Sequence, residues 1–450
     1  MHHSSGELAV SLKPFQVEAV NFALSRPNTL IADEMGLGKT IEAIGVFNAL
    51  PAAHPTMLVV CPANLVLNWA TEIEKWTTRL CFVATIMSGR KPDVHLLEDV
   101  WVISYDLLAK WHNELRNRHW DLLVCDESHY LKSSKAHRTK EVFGYRNKSK
   151  IRAKKTLFLT GTPILSRPLD LWTTVNACDP YRAGCGGSWW GFVHRYCNAH
   201  QKFVPLKGQH GRGKMVLDCT GSCNLQELHD RIQPFTIRRL KKDVLKELPP
   251  KIRQKIVLPA AGCKTIIQEE RSAYNAHQER RIYTAQRAGE VIAEQQSARV
   301  AVAMAKLPFV IEHVRNILEQ EDKVIVFYYH HAIGDLLAEE FKDMNPALIN
   351  GNVAQAMREK NLERFQTDAQ SRILLGSIST AVGYSATAAQ VVVFCELDWV
   401  PANLHQAEDR PHRIGQLESV LVQYLVLEGS VDDDLVETLT EKTAIVQQVL

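Results

Sequence analysis

A chain of 450 residues, 46% apolar and 23% charged, exceeds what one hydrophobic core normally organises, so two domains are expected. The net charge of +3 gives no global argument for nucleic acid, and no apolar run approaches the roughly 18 residues that suggest a membrane span. The opening MHHSSGELAV is polar, lacks a signal-peptide core and resembles an expression-tag remnant, so a soluble, intracellular protein with no membrane partner is expected.

The first element is an apolar run at 28–32, of the kind a buried strand makes. From 40 to 50, Ile41, Ile44, Phe47 and Leu50 fall close to helical spacing. Between them stands ADEMGLGKT (32–40). The pattern G-x-x-x-x-G-K-[ST], anchored on Gly38, Lys39 and Thr40, wants glycine at position 33, where this chain has Asp33. The order strand, glycine-containing turn, helix nevertheless suits an anion, because the first amides of a helix lack internal partners and its dipole favours negative charge. Gly36 and Gly38 would let the backbone approach a phosphate, with Glu34, Met35 and Leu37 completing the loop. Lys39 would reach the β and γ phosphates of a nucleotide, and the Thr40 hydroxyl would ligate Mg2+.

Further along, WDLLVCDESH (120–129) is an apolar strand ending in acids. Beside a phosphate loop, Asp126 would bind magnesium through water and Glu127 would position or deprotonate an attacking water. Between Lys132 and Lys155 the only acid is Glu141, so this basic stretch reads equally well as a solvated face or as a surface that follows phosphates. Of ten cysteines, Cys61, Cys125 and Cys395 sit in apolar runs as small buried hydrophobes. Cys178, Cys185, Cys197, Cys219 and Cys223 cluster with His194 and His200, but there is no CxxC pair and the spacing is irregular, which favours reduced structural thiols over zinc. The segment RRLKKDV (238–244) followed by LPP (248–250) reads as a connection between domains, and 264–305 is helical in composition without proline. Strands near 324–328, 372–376 and 391–394 alternate with a helix at 333–341, which argues for parallel βαβ units.

DExH after a GKT loop resembles the superfamily 2 helicase-type ATPases, and further strings match the Swi/Snf-type DNA translocases in order. LKPFQ (12–16) resembles the segment whose glutamine, here Gln16, reads adenine. MLVVCPANL (57–65), then NW (68–69) and EIEKW (72–76), is similar to motif Ia, ISYDLL (103–108) to Ib, LTGTPI (159–164) to III, and KVIVF (323–327) to IV. STAVGYSAT (379–387), which contains Gly383, stands for motif V, departing from it where relatives show a second glycine near Ala381 and often Asn near Ser385. QAEDRPHRIGQ (406–416) resembles motif VI. In this family the loop reads DEMGLGKT, so Asp33 belongs there. DESH, RYC (195–197) and GSCNLQELH (221–229) resemble the HARP-like annealing-helicase branch.

The resemblance implies an α/β protein with two RecA-like lobes built on parallel sheets: residues 1–178, helical protrusions and linker at 179–305, and residues 306–450. It implies ATP and Mg2+ held by Gln16, the 33–40 loop, Gly383, Thr40 and Asp126. Catalysis would fall to Lys39, Asp126, Glu127, Gln406, Arg410 and Arg413. Arg410 and Arg413, three residues apart, would share a helical face and neutralise charge on the γ phosphate. Ser104, Ser379 and Thr380 are small donors suited to the DNA backbone. The expected activity is ATP-driven translocation on double-stranded or forked DNA by a monomer, with any protein recruiter unknown. A strand-separating helicase on single-stranded DNA or RNA, or an ATP-gated DNA clamp, are the alternatives. The compact length points to a bacterial, archaeal or viral source, or a truncated chain, in preference to a eukaryotic nucleus.

Overall fold

The computed structural model describes residues 12–90, 97–144, 150–161, 167–178, 188–205, 213–260, 262–278, 285–381 and 383–436. Two parallel sheets dominate it. The first takes strands β1 (Asn28–Ile31), β2 (Met57–Cys61), β3 (Val83–Ile86), β4 (Val100–Ser104), β5 (Trp120–Cys125) and β6 (Ala153–Leu159). A hairpin of β7 (His200–Pro205) and β8 (Gly213–Asp218) stands apart, and β9 (Thr236–Ile237) returns to close the first sheet in the order β3-β4-β2-β5-β6-β1-β9. The second sheet takes β10 (Lys251–Leu258), β11 (Val324–Tyr328), β12 (Ala347–Ile349), β13 (Ile373–Ser377), β14 (Val391–Phe394) and β15 (Val420–Leu427), in the order β10-β15-β14-β11-β13-β12. Every pairing in both sheets is parallel.

Helices on both faces explain why the strands read as unbroken apolar runs. All residues of β2, β4 and β11 are buried. Neighbours along a strand serve opposite faces. Leu30, Leu58, Trp101 and Leu123 enter one cluster, while Ile31, Val59, Val102 and Val124 enter the other. The second sheet repeats this, with Ile325 and Phe327 on one side and Val324 and Val326 on the other.

The segment at 179–305 contributes to both sheets. Ile237 pairs with Ile31 at the edge of the first. Lys251 to Leu258 pair with Val420 to Leu427 at the edge of the second. KIRQKIVL hides its strand character because β10 is an edge strand whose middle residues are exposed, where charged side chains are tolerated. The expected helical stretch forms two packed helices, Lys264–Gln278 and Ala285–Leu318. The second continues through Pro308 and lays Val302, Val310 and Val314 on the sheet.

Two of the strings that suggested a branch, RYC and GSCNLQELH, meet in space. The carbonyl of Arg195 accepts from Cys223 Sγ at 3.1 Å and from Asn224 Nδ2 at 2.7 Å, and Glu227 pairs with Arg195 at 2.8 Å. No group of three His, Cys, Asp or Glu side chains able to hold a metal occurs among the described residues, and Cys185 lies outside them. Nor is any described helix long and apolar enough to cross a membrane. The basic stretch is not one uniform track. Lys155 donates to the carbonyls of Leu24 and Arg26 at 2.6 and 2.7 Å, satisfying the end of the helix Pro14–Leu24. Residues 145–149 of that stretch lie outside the described residues.

Candidate nucleotide site between the two sheets

The loop after β1 is built as an anion cradle. Gly36 and Gly38 take φ of 84° and 92°, in the left-handed region that other residues avoid, and Lys39 opens the helix Lys39–Asn48. A Cβ at Gly38 would lie 2.6 Å from Gln16 Nε2, so the bare glycine lets Gln16 reach the loop. The Gln16 amide donates to the Leu37 carbonyl at 3.0 Å and accepts from the Lys13 amide at 2.9 Å. One end of this amide supports the loop and the other caps the helix Pro14–Leu24. Lys39 Nζ turns back on its own loop, donating to the Asp33 carbonyl at 2.8 Å. Desolvation lowers the pKa of this ammonium, against the pull of Glu127, Asp33, Glu42 and Asp126. A cation held in a glycine cradle by loop carbonyls fits a phosphate.

Asp33, expected among the nucleotide contacts, does something else with its carboxylate. It is fully buried and accepts from the Arg239 amide at 2.9 Å and from the Arg239 guanidinium. Glu42 Oε1 shares that guanidinium at 2.9 Å. Burial, with Asp33 beside it, pushes the Glu42 carboxyl up to about 9. Position 33 therefore binds the inter-lobe segment, which is why glycine would not serve there. Met35 and Leu37 are buried, and Met35 and Lys39 crowd the place where Gly161 would carry a Cβ, at 2.4 and 3.2 Å. Thr40 follows Lys39 in the first turn of the helix. Thr162, Pro163 and Ile164 of the LTGTPI string lie outside the described residues.

The carboxylates stand at the end of β5. Asp126 accepts the Trp69 indole N–H at 2.8 Å on one oxygen and the Glu127 amide at 2.9 Å on the other. Burial and the adjacent Glu127 raise its carboxyl to about 6, against those two donors. Each oxygen keeps a further lone pair, enough for a metal held through water. The Tyr105 hydroxyl donates to the Asp126 carbonyl at 2.8 Å, fixing the turn. Glu127 sits at φ 46°, a strained conformation for a non-glycine residue. Its Oε2 lies 3.2 Å from His129 Nδ1 yet makes no hydrogen bond of good geometry. Burial raises the Glu127 carboxyl; His129, then Lys39 and Arg410, outweigh it and hold the group below the usual carboxylate range.

From the connection between β14 and β15 comes 406–416. The helix Pro401–Glu408 buries Gln406, whose carbonyl accepts Arg410 Nε at 2.7 Å. Arg410 also donates to the Tyr384 carbonyl at 2.9 Å. Arg413 donates to the Asp409 carbonyl and to Ser385 Oγ, both at 3.1 Å. So Ser385, where the string departs from its relatives, still orients an arginine. A Cβ on Gly36 would lie 3.1 Å from Arg413 Cγ, which places this arginine on the phosphate loop. Burial, and then Arg410, pushes the Arg413 guanidinium down to about 9; burial lowers Arg410 also. Two crowded, desolvated guanidiniums facing Glu127 and the loop suit an incoming polyanion. Gly383, at φ 86°, stands against Leu65, whose Cδ2 would be 2.1 Å from a Cβ there. It is a contact point between lobes.

The structure thus gathers the loop, Asp126, Glu127, Arg410 and Arg413 in one cleft. The small donors expected on DNA differ in access, Ser379 being exposed and Thr380 half-buried. Ser104 is buried, Thr380 donates to the Ile349 and Ser377 carbonyls at 3.0 Å, and Ser379 shares a 2.9 Å contact with Ser377. Trp69 was missed in the sequence, where NW followed the motif Ia string without a stated role. Arg239 and Lys241 were read only as linker charge.

The description SNF2-related domain matches residues 15–321, and helicase conserved C-terminal domain matches 306–415. The protein described as DNA annealing helicase and endonuclease ZRANB3 from Bos taurus is 35% identical over 95% of this chain and 39% of its own length. The SWI/SNF-related matrix-associated actin-dependent regulator of chromatin subfamily A-like protein 1 of Xenopus tropicalis is 34% identical over 98% of this chain and 45% of its own. The chain spans less than half the length of either relative. Among solved structures, the Sulfolobus solfataricus SWI2/SNF2 ATPase core in complex with dsDNA aligns over 98% of this chain and 93% of that one, at 23% identity and TM-score 0.46. The expectation of a bacterial, archaeal or viral compartment is corrected by these curated relatives. They come from animals, including human, worm and fly, and one group is named for regulating chromatin.

Proposed function

Because the chain belongs to the SNF2-related family, we propose that it is a DNA-dependent ATPase that moves along double-stranded or forked DNA, the motor of a fork-remodelling or strand-annealing protein. The names of its relatives, a DNA annealing helicase and a regulator of chromatin, support that class of substrate. In this reading residues 1–178 and 306–450 are the lobes, joined by 179–305, and the motor works as a monomer.

One observation carries the reading: Arg413 from the second sheet rests on Gly36 of the phosphate loop, so a single site is completed by both lobes. Lys39 and the amides of the 36–40 turn hold the phosphates of ATP, while Arg410 and Arg413 meet the charge that develops on the γ phosphoryl group. Thr40 and Asp126 would hold Mg2+, which neutralises phosphate charge when bound. Glu127 orients the attacking water and takes its proton. The new P–O bond forms as the bond to the β–γ bridging oxygen breaks, giving ADP and phosphate. Gln406 lies one helical turn before Arg410 and sets that arginine through its carbonyl. Since the arginines belong to the other lobe, nucleotide binding favours closure and hydrolysis releases it, and DNA spanning both lobes is moved by that cycle.

The test is ATP turnover alone and with duplex DNA, single-stranded DNA, forked DNA or RNA, with Lys39→Ala as the blank. Stimulation by duplex or forked DNA, lost in the variant, is expected. Stimulation only by single strands or RNA would replace the duplex motor with a strand-separating helicase.

A further inference from the structure

We propose that Lys241, from the segment between the lobes, is a positioning residue for hydrolysis: it seats the turn that carries Arg413 on the phosphate loop. The inference rests on the ATPase reading above. One end of this residue belongs to the first lobe. Its backbone amide donates to Glu34 Oε2 at 2.7 Å, two residues after the Arg239 amide reaches Asp33 at 2.9 Å. The Glu34 amide returns a bond to the Arg239 carbonyl at 3.0 Å. The segment is thus stitched along the loop by main-chain and side-chain bonds together.

The other end belongs to the second lobe. Lys241 Nζ donates to the His412 carbonyl at 2.6 Å and pairs with Asp409 at 3.1 Å. These two acceptors flank Arg413 in its own turn, since Arg413 Nε is held by the Asp409 carbonyl and His412 is the preceding residue. The lysine stem covers the loop glycine: a Cβ on Gly36 would meet Lys241 Cε at 3.4 Å and Arg413 Cγ at 3.1 Å. Lysine and arginine therefore lie side by side on one residue of the cradle.

Charge here is not needed to fill space. Lys241 is 3% exposed, and a buried ammonium is costly to desolvate, so an apolar chain of equal length would serve packing as well. Directed donors fix register where packing would not. Behind it the network continues. Lys251 binds Asp409 at 2.7 Å and Glu408 at 2.9 Å, and Arg253 binds Glu408 at 2.7 Å. His412 Nε2 meets the Pro249 carbonyl at 2.8 Å. The segment reports the position of one lobe to the other through these contacts.

The experiment compares the full chain with Lys241→Met, Arg413→Ala and the double variant, reading DNA-stimulated kcat, KM for ATP and Tm. Lys241→Met should lower kcat on the order of 10- to 100-fold, the scale of an ångström of misplacement, with KM changed less than about 3-fold. In the Arg413→Ala background the same substitution should cost less than about 3-fold, because the residue it positions is gone. Lys241→Gln, which keeps a donor toward the His412 carbonyl, should lose less than Lys241→Met and covers the case in which methionine impairs folding. Equal fold losses in both backgrounds, or a raised KM with kcat intact, would overturn the role of Lys241. An Arg413→Ala variant with full turnover would overturn the proposal at the arginine it positions, whereas a wild type without DNA-stimulated turnover would instead remove the ATPase reading on which the proposal stands.

Discussion

The two halves of the site are held by different physics. On the first lobe the chain itself is the device: glycines at positive φ, a helix N-terminus and a strained Glu127 present backbone and carboxylates to the cleft. On the second, arginines on a turn are fixed by carbonyls and by a run of ion pairs in which Lys241, Lys251 and the exposed Arg253 meet the buried Asp409 and Glu408. Backbone geometry places one half whether or not the lobes close. Long-range ion pairs hold the other: those of Lys251 and Arg253 lie within the second lobe, and that of Lys241 reaches across from the first.

That contrast can be broken first at its chemistry. Arg413→Ala should cut DNA-stimulated turnover roughly 10³- to 10⁵-fold, the worth of an arginine finger, measured by steady-state ATP hydrolysis. Glu127→Gln should cost about 10²- to 10⁴-fold in the same assay while ATP still binds, because only the base is lost. A loss of ATP affinity in Glu127→Gln would instead mark it as part of the cradle.

The next effect is on stability. Asp33→Ala leaves Arg239, whose side chain is 10% exposed, with Glu42 at 2.9 Å and Glu18 at 3.7 Å as partners, so unfolding in urea should become easier by about 3 kcal/mol. An unchanged urea midpoint would mean that the inter-lobe segment is not anchored there. Trp69→Phe should be milder, about 1.5 to 3 kcal/mol for one hydrogen bond to a carboxylate, and should appear in turnover because Asp126 loses a donor. The smallest test concerns a slope. Burial raises Glu270, on the helix Lys264–Gln278, from 4.5 to about 7. The folded state keeps a proton that the unfolded chain releases over that window, so this group makes stability fall as pH rises from 4.5 to about 7. Glu270→Gln should flatten the fall in Tm across that range.

The same contrast decides what the sequence reveals. Local devices leave local signatures: the GLGKT turn, the apolar strand into DESH and the QAEDRPHRIGQ string locate both half-sites, and buried parallel strands such as 324–328 show as apolar runs. Pairings across the chain leave none. Asp33 looks like part of a phosphate loop until Arg239, 206 residues away, takes its carboxylate. RRLKKD reads only as a connection between domains, because charge carries no period that marks burial. KIRQKIVL conceals an edge strand for the same reason, and the sequence does not show that the Thr380 hydroxyl lies 3.0 Å from the Ile349 and Ser377 carbonyls of its own lobe.

The most direct measurement is the ratio of ATP turnover with and without duplex DNA, in the wild type and in Arg413→Ala. If DNA acts by closing the second lobe onto the first, the wild type is stimulated and the variant's ratio falls to near one. A variant stimulated by the same factor as the wild type would contradict a site shared between the lobes.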